Sequence, residues 1–139
     1  MATVNKSRAH IIRQIILQQS GTTLDVSIHL WERLAVEIAS IIGEVGFQTL
    51  YARSAHLVRQ NHAWLTADLV VLTAGSPFAN LKLNLETRDR AEASEASIAL
   101  LTTFLDILAV LIGELLTASI LRSAWGDDAW HIAAKELEK

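Results

Sequence analysis

Residues 98–125 read IALLTTFLDILAVLIGELLTASILRSAW, the most apolar run in the chain. Its apolar side chains fall at helical rather than alternating spacing, so the run is a helix on which the rest of the chain must pack. From Arg88 to Trp125 there is no proline, and the sole glycine is Gly113. The preceding segment, RDRAEASEAS (residues 88–97), is alanine-rich and charged, a strong helix former. One long central helix over about 88–125 is therefore expected. At ~1.5 Å per residue it would be roughly 57 Å long, whereas a domain of this size has a radius of gyration near ~14 Å. Such a helix must break or project beyond its own domain, and projection favours a dimer.

Residues 99–121 are long enough to cross a bilayer. They also contain Asp106, Glu114, Thr102, Thr103 and Thr117, and two carboxylates in one span are expensive in lipid. The expectation is a buried protein helix and no membrane span.

Working outward, residues 5–19 form a first helix capped by Asn5 or Ser7, with Ile11, Ile12, Ile15 and Ile16 on one stripe. Ser20-Gly21 ends it. A second helix follows to about Gly43. Its stripe of Ile28, Trp31, Ala35, Ile38, Ile42 and Val45, widened by Leu34 and Ile41, alternates steps of three and four, as in a bundle helix packed at a shallow angle. Glu32, Arg33 and Glu37 lie off the stripe. Gly43 and Gly46 mark a kink or a short turn. Beyond them Phe47, Leu50, Tyr51, Ser54, Leu57 and Val58 form a third apolar face, and Arg53, His56 and Gln60 share a polar one.

Residues 61–80 are the least regular part. The run Leu69–Leu72 has no strand partner and reads as helical or packed loop. Ala74-Gly75-Ser76-Pro77 is a breaker, with Ser76 and Pro77 starting a short helix over 77–86 that carries Phe78, Leu81, Leu83 and Leu85. Thr87 begins the long element. Gly126 stops it, and Asp127 or Asp128 caps a last helix bearing Trp130, Ile132, Ala133 and Leu137. The fold expected is all-α: a single domain over 1–139, a bundle of five to seven helices around the long apolar helix.

One pattern occurs twice. Ile42-Gly43-Glu44 recurs as Ile112-Gly113-Glu114, and Arg53-Ser54-Ala55 as Arg122-Ser123-Ala124, the latter with a one-residue difference in spacing. Upstream, Trp31, Leu34, Ile38 and Ile41 coincide with Leu101, Phe104, Leu108 and Leu111. A duplication would give two long helices related by a pseudo-two-fold axis. A mid-helix glycine permits close helix crossing, so Gly43 and Gly113 are candidate crossing points. Glu44 and Glu114 are then candidate buried charges, with Arg53 and Arg122 as partners.

Composition narrows function by exclusion. Of 139 residues, 51% are hydrophobic and 19% charged, with a mean hydropathy of +0.31. That apolar excess calls for an oligomer interface or a membrane surface. A net charge of −3 and a pI near 5.9 give a nucleic acid nothing to bind. The lack of cysteine removes disulfides, thiolate chemistry and Fe–S clusters and suits a reducing cytoplasm. The N-terminal apolar run is broken by Arg13 and lacks a small-residue cleavage site, so it does not read as a signal peptide.

No Glu-x-x-His pair of the di-iron bundles occurs. Asp128-x-x-His131 alone is too common a spacing to imply a metal. There is no HExxH, GxSxG, P-loop or GxGxxG, so no catalytic residue, metal or cofactor is assigned. Trp31, Tyr51, His56, Trp64 and Trp125 are candidates for a ligand pocket, with His56 the residue a haem would take. The texture is similar to the small, Cys-free, all-helical accessory and sensor domains of bacterial signalling, an analogy that transfers no residues. The functional expectation is a non-enzymatic regulatory or adaptor protein acting through helix–helix contacts as a homodimer. The alternative is a ligand- or haem-binding helical sensor, with an enzyme last.

Overall fold

The computed structural model describes residues 9, 10, 12, 13, 15, 16, 23–65 and 78–126. Among them the chain is all-helical, with four bounded helices and no strand. These are α1 (Thr23–Val58), α2 (Ala79–Glu86), α3 (Arg90–Ile112) and α4 (Glu114–Trp125). The described positions between 9 and 16 are also helical, with Ile12, Ile15 and Ile16 buried. The expected caps at Asn5, Ser7 and Ser20-Gly21, the Leu69–Leu72 run, the Ser76-Pro77 start and the final helix after Gly126 lie outside the described residues.

The expected 88–125 rod is two helices. It breaks at Gly113, whose φ of 96° and ψ of 156° are not helical. α1 is interrupted in the same way at Gly43, with φ 83° and ψ 165°. Both angles fall in a region of backbone space that is essentially glycine-only.

These breaks reverse the chain. Twenty residues separate Trp31 from Tyr51, about 30 Å along a straight helix, yet their ring centroids lie 5.3 Å apart. The two arms of α1, residues 23–42 and 44–58, therefore fold back on each other. The second break acts alike. Phe104 on α3 lies 5.2 Å from Trp31, and the Trp125 indole N–H on α4 donates to the Leu30 carbonyl at 3.1 Å. Phe104 and Trp125 thus reach neighbouring residues of α1 although twenty-one residues separate them. The architecture is two helical hairpins, each turning on one glycine.

α4 runs antiparallel to the first arm of α1. Trp125 meets Leu30, whereas Ser123, earlier on α4, donates to Glu37, later on α1, at 3.1 Å. Gly43 and Gly113 lie about 20 and 18 Å beyond the Leu30–Trp125 contact along their helices, so both turns stand at one end of the bundle.

The core sits below that end. Trp31 is fully buried and meets Phe47, Tyr51, Phe78 and Phe104 at centroid distances of 5.2 to 6.4 Å, mostly edge-on or tilted. Three other stretches of chain thereby converge on one indole. Aliphatic residues Leu34, Ile38, Leu101, Leu105 and Leu108 belong to the same core cluster, all fully buried.

Buried positions also coincide between the hairpins. All eleven buried residues from Ser27 to Ala55 have a buried counterpart seventy residues later, among them Ser27 with Ser97, Trp31 with Leu101, Phe47 with Thr117 and Ala55 with Trp125. The separation stays constant across the glycines, so Arg53 corresponds in burial to Ser123. The Arg-Ser-Ala echo is out of register by one position.

α3 starts at Arg90 rather than Thr87. Asp89 is its N-cap, accepting the Glu92 backbone N–H at 2.8 Å, while Thr87 closes α2. Replacing such a cap by alanine costs about 1 kcal/mol. Asp89→Ala is expected to lower Tm by about 4 °C, and Asp89→Asn to restore most of it. An unchanged Tm in a thermal melt of the alanine variant would show that the cap contributes nothing.

Two segments are long and apolar enough to cross a membrane, Asp25–Val58 and Arg90–Ile112. The first is not a single rod, since it reverses at Gly43. The second carries Phe104, Leu105 and Leu108 into the core.

Candidate functional site

The apolar stripe of α1 does not continue to Val45 as a buried face. Burial ends at Ile38 and resumes at Phe47; on the second hairpin it ends at Ala109 and resumes at Thr117. The two elbows, residues 39–46 and 110–116, therefore hold no buried residue, and only Ile42 and Ile112 of their large apolar side chains pack against the core. They are nevertheless apolar. Ile41 is 48% exposed, Val45 80%, Val110 86%, Leu111 65%, Leu115 89% and Leu116 44%. Only two other described large apolar side chains are comparably exposed, Val36 and Leu83. The elbows hold two charged residues, Glu44 and Glu114, and no lysine or arginine.

This geometry corrects the helix-crossing expectation. A Cβ at Gly43 or Gly113 would meet no atom within 4 Å, so neither glycine serves a close approach within the chain. Each supplies a positive φ at a turn instead. Glu44, Arg53, Glu114 and Arg122 are all exposed, so none is a buried charge. Glu44 and Arg53 also stand about 13 Å apart along one arm and on opposite faces, out of pairing range.

The pocket expectation is likewise divided. Trp31, Tyr51 and Trp125 are buried, but Trp31 and Tyr51 are packed against each other and against three phenylalanines, and Trp125 is tied to Leu30. Their rings fill the interior. His56 is exposed. Trp64 is half-buried elsewhere, with the Arg88 guanidinium 5.1 Å over its ring and His62 edge-on at 6.0 Å. The five residues do not line one cavity.

An open groove of about 380 Å³ does lie between α1 and α4, lined by His29, Glu32, Arg33, Val36, Glu37, Ser123 and Ala124. Its polar groups are largely engaged with one another. Arg33 Nε donates to His29 Nε2 at 3.1 Å, and its Nη1 reaches the Ala124 carbonyl at 3.5 Å. That places a cation on the carbonyl end of α4, a favourable helix-terminus contact. Ser123 Oγ donates to Glu37. Among the described residues no three His, Cys, Asp or Glu side chains converge to hold a metal.

Among the described residues, five buried polar atoms lack a protein partner: the Ser27, Ser97 and Thr102 hydroxyls and the Trp31 and Trp64 indole N–H groups. Ser27 and Ser97 are counterparts in the two hairpins. Sequence reading noted neither serine, because a small hydroxyl inside an apolar stripe gives no periodic signal.

Comparison with protein-family models, with curated proteins and with solved structures finds no match. The class that fold and surface define is an all-α double-hairpin bundle with an apolar end.

Proposed function

We propose that this chain is a non-enzymatic regulatory or adaptor protein that works in the cytoplasm through helix–helix contacts, as a homodimer. The observation that carries the reading is the cluster of exposed aliphatic side chains on residues 39–46 and 110–116. Large apolar residues exposed together, at places where the chain has no packing use for them, mark interaction surfaces. Signalling of the bacterial type is the setting in which such small helical modules act as relays.

We further propose that the two hairpins, residues 23–58 and 90–125, are copies of one unit related by a pseudo-two-fold axis along the bundle. Support comes from the shared Ile-Gly-Glu turn, its matching backbone angles and the constant seventy-residue separation of buried positions. A repeat of this kind explains why both elbows are apolar: each inherits the same turn.

The ligand- or haem-sensor reading has less behind it, because the aromatic interior is filled. Sedimentation velocity from about 5 to 200 μM tests the main reading. A concentration-dependent shift from about 15 to about 31 kDa is expected, twice the 15.3 kDa of one chain. A monomer throughout that range rejects the homodimer.

A further inference from the structure

We infer that the occupant of the apolar end is a second copy of this chain, docked elbows to elbows about a two-fold axis. The inference rests on the self-association reading above and names its surface.

Area is the first argument. Ile41, Val45, Val110, Leu111, Leu115 and Leu116 are 44 to 89% exposed. At on the order of 100 Å² each they sum to about 600 Å², the upper end of the apolar patch a monomer carries, and two copies together would bury about 1,200 Å², the lower end of a standard interface. Both elbows contribute, and they stand at the same end of the bundle.

Self-complementarity is the second. A two-fold interface must match itself. Ile41 and Val45 on one elbow fall opposite Leu111 and Leu115 on the other at the same seventy-residue separation, so each elbow presents exposed aliphatic side chains. A copy can therefore seat aliphatic side chains of either elbow against those of its partner.

Charge is the third. The elbows carry Glu44 and Glu114 and no cation. Binding to an anionic lipid surface needs lysine or arginine beside the apolar residues, so the elbows are built wrongly for a membrane. In the dimer the exposed Glu44 carboxylates of the two copies lie at the rim, where like charges repel and salt screens them. Self-association is accordingly expected to strengthen with added salt, opposite to a charge-driven pair.

The test uses the full chain. Val45→Glu and Leu115→Glu are placed at side chains 80 and 89% exposed, so helicity by circular dichroism is expected to stay at the wild-type level. Leu83→Glu, on α2 and 58% exposed, is the control. The dimer dissociation constant of each elbow variant is expected to rise at least tenfold, with Leu83→Glu unchanged. A second readout uses the absence of native cysteine: Leu115→Cys together with Val45→Cys is expected to give an oxidised covalent dimer, and Leu83→Cys is not. If the wild type dimerises but the elbow variants dimerise equally well, the surface is wrong and the self-association reading stands. If the wild type is monomeric at 200 μM, both fail. Flotation with vesicles containing phosphatidylserine, lost in the elbow variants, would assign the end to lipid and overturn the inference.

Discussion

Trp31→Ala is expected to unfold most of the protein at 37 °C. The side chain is fully buried, and its ring, on the first arm of α1, meets four others: Phe47 and Tyr51 on the second arm, Phe78 ahead of α2 and Phe104 on α3. Truncating a buried Trp or Phe costs about 3–5 kcal/mol, and each lost edge-to-face contact is worth about 0.5–1.5 kcal/mol beyond the area. A domain's whole stability is only about 5–15 kcal/mol. The indole also carries a cost of its own, since its N–H has no partner in the core. Trp31→Phe removes that orphan donor and keeps an aromatic ring in place, so it is expected to lie within about 1 kcal/mol of the wild type. Chemical denaturation followed by circular dichroism compares the two. An alanine variant less than 1 kcal/mol below the wild type would mean that Trp31 is not the centre of the core.

The core of this fold was legible because periodicity reports burial directly. Trp31, Leu34, Ala35 and Ile38, then Phe47, Leu50, Tyr51 and Ser54, fall on the faces their spacing assigns, and all are buried. The same rule failed at Ile41 and Val45. Spacing tells which face of a helix a residue occupies, not whether the neighbouring helix extends that far. The stripe outruns its partners by one turn, and its last members reach solvent. Leu83 fails for a related reason: it lies off the inward face that Leu81 and Leu85 define on α2.

The turns were half legible. Gly43 and Gly113 stood out as a repeated pair, but a glycine in a helical pattern fits a kink, a close crossing and a reversal equally well. Only the proximity of Trp31 to Tyr51 separates these. The choice of crossing then led Glu44 and Glu114 to be read as buried. At a reversal the following residue starts a new helix at the surface, where a glutamate beside the helix N-terminus is favourable. Both charges are thus explained by their place at the start of a helix. The start of α3 was missed because Asp89-x-x-Glu92, a capping pattern, sat inside a charged run that looked uniformly helical.

The second large effect belongs to those turns. Gly43→Ala combined with Gly113→Ala is expected to dismantle the double hairpin. At φ 83° and 96° with ψ near extended, an L-side chain is strained by about 1–3 kcal/mol at each site. No atom lies within 4 Å of either new Cβ, so the cost is in the backbone and cannot be relieved by neighbours moving. The chain has an escape: each elbow can become helical, and alanine favours that by about 1 kcal/mol per site over glycine. A straightened α1 would be a rod of about 54 Å, in which Tyr51 can no longer reach its own Trp31. The exposed arms would then find the missing contacts in another copy, which is domain swapping through a hinge. The expected product has near-native helicity, a larger Stokes radius and oligomers that separate only on unfolding. D-Alanine introduced at both positions by chemical ligation is expected to keep the compact form, since for a D-residue these angles are the mirror of ordinary extended backbone. Size-exclusion chromatography with light scattering decides the point. An L-alanine double variant that elutes and melts like the wild type would show that the hairpins do not depend on the glycines. The reversal would then be held by the aromatic core alone.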